Sequence, residues 1–369
     1  MTIATLPRRL GDVTREMVIE QQSLDYVRFL GCMVATKNAA LAAADVFRMR
    51  WPESINADLV MKAAVAAGTT TDATWAGPLA PVQPLVGAFL EYLRPLTIVD
   101  RVPGLRRVPA NVAVPVQTGG GVYGWIGQNA PAPVTSLAFA TTTLGLTKAG
   151  GIVYFTEELA RAATVDMAVV VRNDLATGLA AYLDVEFVNP ARAPVANTSP
   201  GSITNGVTPI APSGTTTAAL KADVGALMAQ WAGNNPNTTA GVLLFAPREA
   251  GMLNAAMQNA NMTPTIDMNG IGRYAGYPTI VSANVGTTIV MLNAALILMA
   301  DGGLDVQTSR EATLQADSAP DNPPTASTIV IPLWPNNLVA YRGLRDIVWK
   351  KATTTAVSLV SPCAYVGGT

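Results

Sequence analysis

The sequence lacks histidine, and only 13% of its 369 residues are charged, against about 25% in typical soluble domains. Without histidine, the chain cannot build a Ser-His or Cys-His catalytic pair, and nearly all zinc and copper sites are excluded as well. We therefore expect no catalytic residues, no metal ligands and no bound cofactor.

Cysteine is equally scarce, because Cys32 and Cys363 are the only two and the sequence contains no CxxC motif. Two such distant cysteines are typical of reduced thiols in a reducing compartment. A disulfide between neighbouring subunits is the alternative interpretation.

The low charge needs an explanation, because half of the residues are apolar and the net charge is −1. A membrane does not supply it: the most apolar run, residues 288–300, contains Asn293 and is shorter than the ~20 residues of a spanning helix. The first residues do not resemble a secretory signal. We expect a protein that stays in a cytoplasm and whose surface is covered by other copies of itself.

The longest helical pattern covers residues 155–190. Thr156 is a suitable N-cap, and Glu157 and Glu158 suit the first turn of a helix. The pattern predicts a short helix, a break near Thr164 and one long helix to about Phe187. One face of it would carry Leu159, Ala163, Met167, Val170, Val171, Leu175, Leu179, Tyr182, Leu183 and Phe187.

Residues 1–66 form a separate block in which charged and apolar residues alternate at helical spacing. Amphipathic helices are predicted within residues 8–34, 37–49 and 54–67, the last one ending at Gly68. Such helices need a partner surface, so we interpret this block as an arm rather than as a domain. Its expected contacts with a neighbouring subunit are Tyr26, Phe29 and Trp51.

Residues 108–147 contain no charged residue. Two strand-like halves, residues 113–117 and 137–146, flank a glycine-rich tip, which predicts a long two-stranded hairpin. An uncharged hairpin would aggregate unless it lay against another molecule, so we expect it to reach across a neighbouring subunit. The expected contact residues are Tyr123, Trp125, Gln128, Asn129 and Phe139; the alternative is a hairpin folded onto its own core.

Other candidate chemistry has simpler explanations. The glycines of residues 119–127 lack the Gly-Lys-Ser/Thr ending and the following helix of a phosphate-binding loop. The pair Glu157 and Glu158 fits a helix start, and Asp184 and Glu186 fit a solvated helix end. The basic pairs at 106–107 and 350–351 are too sparse for a nucleic-acid interface, so any such contact would be loose.

The remaining sequence predicts strands and a compact α+β region. Residues 97–99 read as a strand piece, and residues 241–246 (GVLLFA) read as a buried strand followed by a helix from Pro247. This α+β region covers residues 196–300. Further strands are predicted at residues 305–315, 327–333 and 338–342, with a proline-rich turn between the first two, and a final strand at 344–360.

The order of these parts resembles the major capsid proteins of tailed bacteriophages. The phrases that carry the resemblance span about residues 85–365: VPGLRRVP before the hairpin, the long helix with its closing LDVEFVNP, GSITNGVTPI, LLFAPREAGML and GYPTIVSANV. The resemblance implies an α+β tailed-phage major-capsid fold with a long spine helix, an extended β-hairpin loop and a compact axial α+β domain.

The resemblance also implies a domain organisation. Residues 1–84 would be the N-terminal arm, 85–110 a connecting segment and 111–147 the extended hairpin loop. Residues 148–195 and 301–343 would form the peripheral domain with the spine helix, and 196–300 and 344–369 the axial domain.

The implied function is structural: pentamers and hexamers that self-assemble into an icosahedral head around double-stranded DNA, located in the virion and assembled in the bacterial cytoplasm. Implied partners are the chain itself, a portal, scaffold, protease or decoration proteins, and DNA bound non-specifically, with no membrane. Some members of the family cross-link through a lysine in the extended loop. Because this hairpin has no lysine, we expect a non-covalent shell.

Two alternatives concern the arm and the function. Residues 1–66 could be a removable scaffold, although a retained arm is expected. A bacterial nanocompartment shell, similar to encapsulin, shares the fold but packages an enzyme cargo. A stand-alone enzyme or a secreted β-rich binding module is disfavoured, since the sequence has no histidine, no signal peptide and no converging polar cluster.

Overall fold

The computed structural model describes residues 10–36, 40–52, 54, 89–119, 121–128, 131–162, 165–236, 240–257, 265–266 and 270–366. The chain divides into two compact units. Unit 1 comprises Met1–Leu96, Ala149–Ala180 and Gly303–Arg345, and unit 2 comprises Thr97–Lys148, Ala181–Gly302 and Asp346–Thr369.

Seven helices have both ends within these residues. They are α1 (Leu10–Ala35), α2 (Ala40–Arg50), α3 (Ile98–Arg101), α4 (Glu157–Ala162), α5 (Val165–Val188), α6 (Thr217–Asn234) and α7 (Pro247–Met257). None of the described helices is long and apolar enough to cross a lipid bilayer. The predicted third helix, residues 54–67, lies outside the described residues apart from Ser54.

The strands form two larger sheets and two isolated ribbons. The strands are β1 (Arg106–Arg107), β2 (Ala113–Gly119), β3 (Ala138–Thr143), β4 (Lys148–Thr156), β5 (Gly241–Phe245), β6 (Thr265–Ile266), β7 (Ile271–Tyr274), β8 (Tyr277–Val281), β9 (Ile289–Asn293), β10 (Ile297–Ser309), β11 (Thr313–Gln315), β12 (Val330–Pro332), β13 (Leu338–Lys351) and β14 (Val357–Val360). The sheet orders are β1-β10-β13-β4 and β14-β9-β5-β8-β7-β6, and the ribbons are β2-β3 and β11-β12.

Unit 2 is built around the predicted buried strand. All five residues of β5 and all five of β9 are buried, and the apolar side of α6 packs on this sheet through Leu220, Val224, Leu227 and Trp231. Thr216 caps α6, because its hydroxyl accepts a hydrogen bond from the N–H of Ala219 at 3.2 Å. The buried strand predicted at residues 241–246 and the helix predicted from Pro247 are confirmed.

The spine helix α5 is confirmed in position, and its predicted buried face is partly wrong. Val171, Leu183 and Phe187 are buried, whereas Val170 and Tyr182 are more than half exposed. Ala176 and Ala180 are buried instead. A helix of this length presents apolar residues around more than one face, so spacing alone did not separate its packed side from its free side.

In unit 1 the N-terminal helices pack on the same chain, and the assignment of this block as an arm stays a prediction. Tyr26, Phe29 and Phe47 belong to the same buried cluster as Val171 of α5 and Tyr341 of β13. The hydroxyl of Tyr26 donates to the carbonyl of Val306 at 3.2 Å. The amphipathic faces found in the sequence therefore have a partner surface within their own unit.

A second contact of α1 in unit 1 is polar. Arg172, which is almost fully buried, donates to the carbonyl of Glu20 at 3.2 Å. Its guanidinium lies 4.5 Å from the centre of the Tyr92 ring, a favourable cation–π arrangement in a desolvated site. The described part of α1 is thus fixed to the spine helix by both apolar and charged contacts.

The strand predicted at residues 97–99 is wrong, and the final strand predicted at residues 344–360 is confirmed only in part. Thr97 is the N-cap of the short helix α3, and its hydroxyl accepts from the N–H of Asp100 at 3.4 Å. The predicted last strand is also divided: β13 runs unbroken from Leu338 to Lys351, and a 3₁₀ turn at Thr354–Ala356 precedes β14. In both cases a threonine hydroxyl or a local turn outweighed the strand preference of β-branched residues.

Asp184 was expected at a solvated helix end but is completely buried in unit 2. Its carboxylate accepts hydrogen bonds from the N–H of Ile98 at 2.6 Å, from Asn284 Nδ2 at 3.1 Å and from Ser282 Oγ at 3.3 Å. Burial raises the pKa of this carboxyl group, and the three hydrogen bonds oppose that rise. One side chain thus holds three separate chain segments together.

We predict that Asp184→Ala destabilises the subunit by about 1 to 3 kcal/mol at pH 7, because three buried donors lose their acceptor. The matched control is Asp174→Ala on the exposed side of the same helix, which should change the free energy of unfolding by less than about 0.5 kcal/mol. Urea denaturation of dispersed subunits measures both values, and equal values for the two variants would contradict the role of Asp184.

The same experiment has an expected pH dependence. A carboxyl group with a raised folded-state pKa stabilises the fold most below its unfolded pKa of about 3.9. That stabilisation is lost as the pH rises through the folded-state value. The difference in stability between wild type and Asp184→Ala should therefore shrink as the pH is raised from about 4, and a growing difference would contradict the assignment.

Candidate assembly surface

The uncharged hairpin is an antiparallel ribbon, here called ribbon 1 (residues 111–147). Strands β2 and β3 pair from Ala113 opposite Thr143 to Gly119 opposite Ala138, with a bulge between Gln117 and Gly119. The predicted two-stranded hairpin is confirmed. Residues 121–128 and 131–137 form its non-strand tip.

The base of ribbon 1 packs on its own unit. Val114, Val116 and Leu144 are buried in one cluster, whose other buried members are Leu298, Ala300 and Val348. The N–H of Asn111 donates to the carbonyl of Leu144 at 2.7 Å and closes the base. The alternative in which the hairpin folds onto its own core therefore describes the base of the ribbon.

The described tip of ribbon 1 is exposed, and so is Phe139 in the adjoining end of β3. Tyr123 is 90% exposed, Phe139 is 60% exposed and Trp125 has no measurable protection from solvent. Gln128 is exposed as well, and Asn129 lies outside the described residues. Other large apolar side chains share this exposure: Val122, Ile126, Val134 and Leu137.

A contiguous apolar surface without charge is characteristic of a protein interaction site. Within the tip itself, the N–H of Val122 donates to Thr135 Oγ1 at 3.1 Å and links its two sides. The contact of this tip with a neighbouring subunit stays a prediction.

Three residues of the N-terminal block that are expected to contact a neighbouring subunit pack against their own chain in unit 1. Tyr26 and Phe29 are buried in the core of unit 1, and Trp51 is half-buried beside them. The Trp51 ring lies 5.3 Å from that of Phe47 and 5.2 Å from the Arg28 guanidinium. These three side chains are occupied by their own chain, because α1 and α2 bury their apolar faces in unit 1.

The two strands of a second ribbon lie within the strands predicted at residues 305–315 and 327–333, but the sequence did not identify this ribbon as an exposed surface. Strands β11 and β12 pair with each other from Thr313 opposite Pro332 to Gln315 opposite Val330. This element, here called ribbon 2 (residues 310–337), exposes Ile329, Val330 and Trp334. The signal in the sequence was a tryptophan placed between Pro332 and Pro335, a setting typical of a surface turn rather than of a core.

The candidate catalytic groups have structural roles. Glu157 forms an ion pair with Arg310 in unit 1, and Glu186 pairs with Arg192 at 3.0 Å. Among the described residues no group of three or more Cys, Asp or Glu side chains could hold a metal ion. These carboxylates therefore fix neighbouring segments.

Both cysteines are free and buried. Burial raises the pKa of the Cys32 thiol to about 11 and that of Cys363 to about 12. Disulfide formation requires an accessible thiolate, so neither residue is placed to form a bond with another subunit. This arrangement disfavours the intersubunit disulfide.

Comparison with known proteins gives consistent results. A model described as the phage capsid family matches residues 90–318. A curated relative, the capsid polyprotein of Pseudomonas phage PAJU2, is 42% identical over 318 residues. That alignment covers 82% of this chain and 47% of the relative, so the chain spans about half the length of the relative.

Solved structures share the fold at much lower identity. The structure of Gordonia phage Cozz is 16% identical with a TM-score of 0.51, over 72% of this chain and 85% of that chain. The structure of Mycobacterium phage Cain is 16% identical with a TM-score of 0.52, over 73% and 91% of the two chains.

The division of ribbon 1 into a packed base and a free tip predicts unequal effects on stability. Leu144→Ala should lower the free energy of unfolding of dispersed subunits by about 2 to 5 kcal/mol, because it leaves a cavity in a buried cluster. Trp125→Ser should change it by less than about 0.5 kcal/mol. Urea titration followed by circular dichroism tests this, and a large effect of Trp125→Ser would show that the tip packs on its own chain.

Proposed function

The chain belongs to the phage capsid family, and we propose that it forms pentamers and hexamers that close into an icosahedral head around double-stranded DNA. The family match establishes a structural protein rather than an enzyme. The expected α+β major-capsid fold is confirmed by the shared fold of the solved phage structures.

The observation that carries the proposal is the exposed tip of ribbon 1. Its apolar side chains would be unfavourable in water at the concentrations a shell protein reaches, and burying each large one stabilises a contact by about 1.5 to 3 kcal/mol. Trp125 and Tyr123 are the residue types that dominate protein interfaces. A shell repeats this contact many times and thereby removes from water the apolar surface of a chain that has few charged residues.

The domain assignment is part of the proposal. Residues 148–195 with 301–343 serve as the peripheral domain, and 196–300 with 344–369 serve as the axial domain at the capsomer centre. The six-stranded sheet with α6 supports the second assignment, since it forms a compact α+β core of its own.

Partners other than the chain itself also belong to the proposal. Double-stranded DNA would contact scattered Lys and Arg side chains through its phosphates, without sequence reading. A portal and scaffold, protease or decoration proteins would complete the virion. The nanocompartment alternative is not favoured, because the relative with 42% identity is a phage capsid polyprotein.

We expect the purified chain to form closed shells, or pentamers and hexamers, visible by negative-stain electron microscopy after size-exclusion chromatography. Trp125→Ser should reduce the yield of these particles at least ten-fold, because the interface loses a large apolar anchor. Trp125→Phe keeps an apolar ring and should retain most of the yield. A wild-type protein that stays monomeric at all concentrations would overturn the proposal.

The shell should be held without covalent bonds, because residues 108–147 contain no lysine for a cross-link. Assembled particles that are boiled in detergent with reductant should run as a single subunit band on a denaturing gel. A ladder of multimers under these conditions would show that a covalent bond forms at another position.

A further inference from the structure

Ribbon 2 has the features of an interaction surface. It is a two-stranded sheet without a third strand, an arrangement that is only marginally stable by itself. Every residue from 316 to 327 is exposed, and Ile329, Val330 and Trp334 add exposed apolar area. A marginal element that displays apolar side chains is expected to gain stability by docking on another molecule.

Among the described residues, the charges of ribbon 2 that lack an ion-pair partner are all negative. Arg310 is neutralised by its ion pair with Glu157, which leaves the exposed carboxylates Glu311, Asp317 and Asp321. Asp317 accepts the N–H of Ala319 at 3.1 Å, and Asp321 accepts the hydroxyl of Thr328 at 2.5 Å. These bonds to neutral groups shape the loop and leave both negative charges uncompensated.

A complementary feature lies in unit 2 of the same chain. Arg106 and Arg107 form the edge strand β1 and are both exposed. Neither has an ion-pair partner among the residues that the structure describes. The second basic pair differs, because Lys351 donates to the carbonyls of Ile203 at 3.2 Å and Asn205 at 2.5 Å.

We infer that ribbon 2 is a second contact between subunits, and that Asp317 and Asp321 of one copy bind Arg106 and Arg107 of the next copy. Arginine suits this role, since its planar guanidinium can bind a carboxylate with two parallel hydrogen bonds. Exposed Val112 and Pro109 lie next to the arginines in sequence and would face the apolar residues of ribbon 2. The inference rests on the proposed assembly.

The two surfaces lie at different positions of one chain, so the contact is head-to-tail. Such a contact is not self-complementary between two copies, and it generates rings when the rotation between copies closes. Pentamers and hexamers are rings of this kind. Charge complementarity of this type contributes mainly to specificity and the rate of association, while the aromatic tip of ribbon 1 contributes affinity.

The experiment is a charge exchange in the full chain. Asp317→Lys with Asp321→Lys should lower particle yield at least ten-fold, and Arg106→Glu with Arg107→Glu should do the same, because each places like charges together. The protein with all four substitutions should recover to within about three-fold of wild type. Size-exclusion chromatography and negative-stain microscopy measure the yield.

The control separates the charge from the shape of the loop. Asp317→Asn with Asp321→Asn keeps an acceptor oxygen for Ala319 and Thr328 while removing both charges. This variant should assemble with intermediate yield, and its assembly should not respond to raising the salt concentration from 0.05 to 0.5 M. Wild-type association should slow over the same range, because salt screens the attraction.

The outcomes are distinct. Wild-type particles together with unchanged yields in both charge-reversed proteins would overturn the inference and leave the proposed function intact. The pairing would also be overturned if only the arginine variant lost assembly, or if the protein with all four substitutions did not recover its particle yield. Thermal unfolding of dispersed subunits must match wild type for each variant. If a reversed variant misfolds, the asparagine variant and the salt response decide the question.

Discussion

Val114, Val116 and Leu144 bury the base of ribbon 1 within unit 2, whereas the aromatic side chains of its tip stay in solvent. This separation is the constraint on which the functional argument depends. A hairpin buried along its whole length would only add to the core, and one without a buried base would have no fixed register, since isolated ribbons are marginal. Because its base is fixed, the tip loses less conformational freedom when it binds another copy, and that loss is what weakens flexible contacts.

Asp184 fixes the relative positions of three chain segments inside unit 2. Its carboxylate links the end of the spine helix α5 to α3 and to the 3₁₀ turn at Ala283–Val285 through three hydrogen bonds. Burying a carboxylate costs free energy that only well-placed donors offset. Neutral apolar contacts could hold the same segments with more freedom to slide, whereas three directional bonds to one group fix their register. The short helix α3 immediately precedes the segment that leads to Arg106 and Arg107, so this register also positions β1.

The sequence pattern predicted the elements that are determined locally. The spine helix, the buried strand β5 and the paired strands of ribbon 1 follow from periodicity, from a continuous apolar run and from glycines between two strand-like segments. The failures have tertiary causes. Val170 and Tyr182 belong to an apolar helix that has a second free side, Asp184 meets donors far away in sequence, and Tyr26 and Phe29 find partners in β10 and β13. The strands of ribbon 2 lie within predicted strands, but alternation alone does not show that they pair only with each other and form a separate exposed ribbon.

The scarcity of charge gives the few unpaired charges more influence. In a typical surface, exposed ion pairs contribute little to stability, because neighbouring charges and salt compete with them. Here 13% of the residues are charged, and several of them are already committed, such as Glu157 with Arg310 and Glu186 with Arg192. The proposed apolar contact through Trp125 would be strong but tolerant of register, since it has no directional bond. Ion pairs between two arginines and two carboxylates would fix the orientation of one subunit relative to the next. A neutral, apolar surface needs such a fixed orientation to close rings of one size, because without it the subunits can form irregular aggregates.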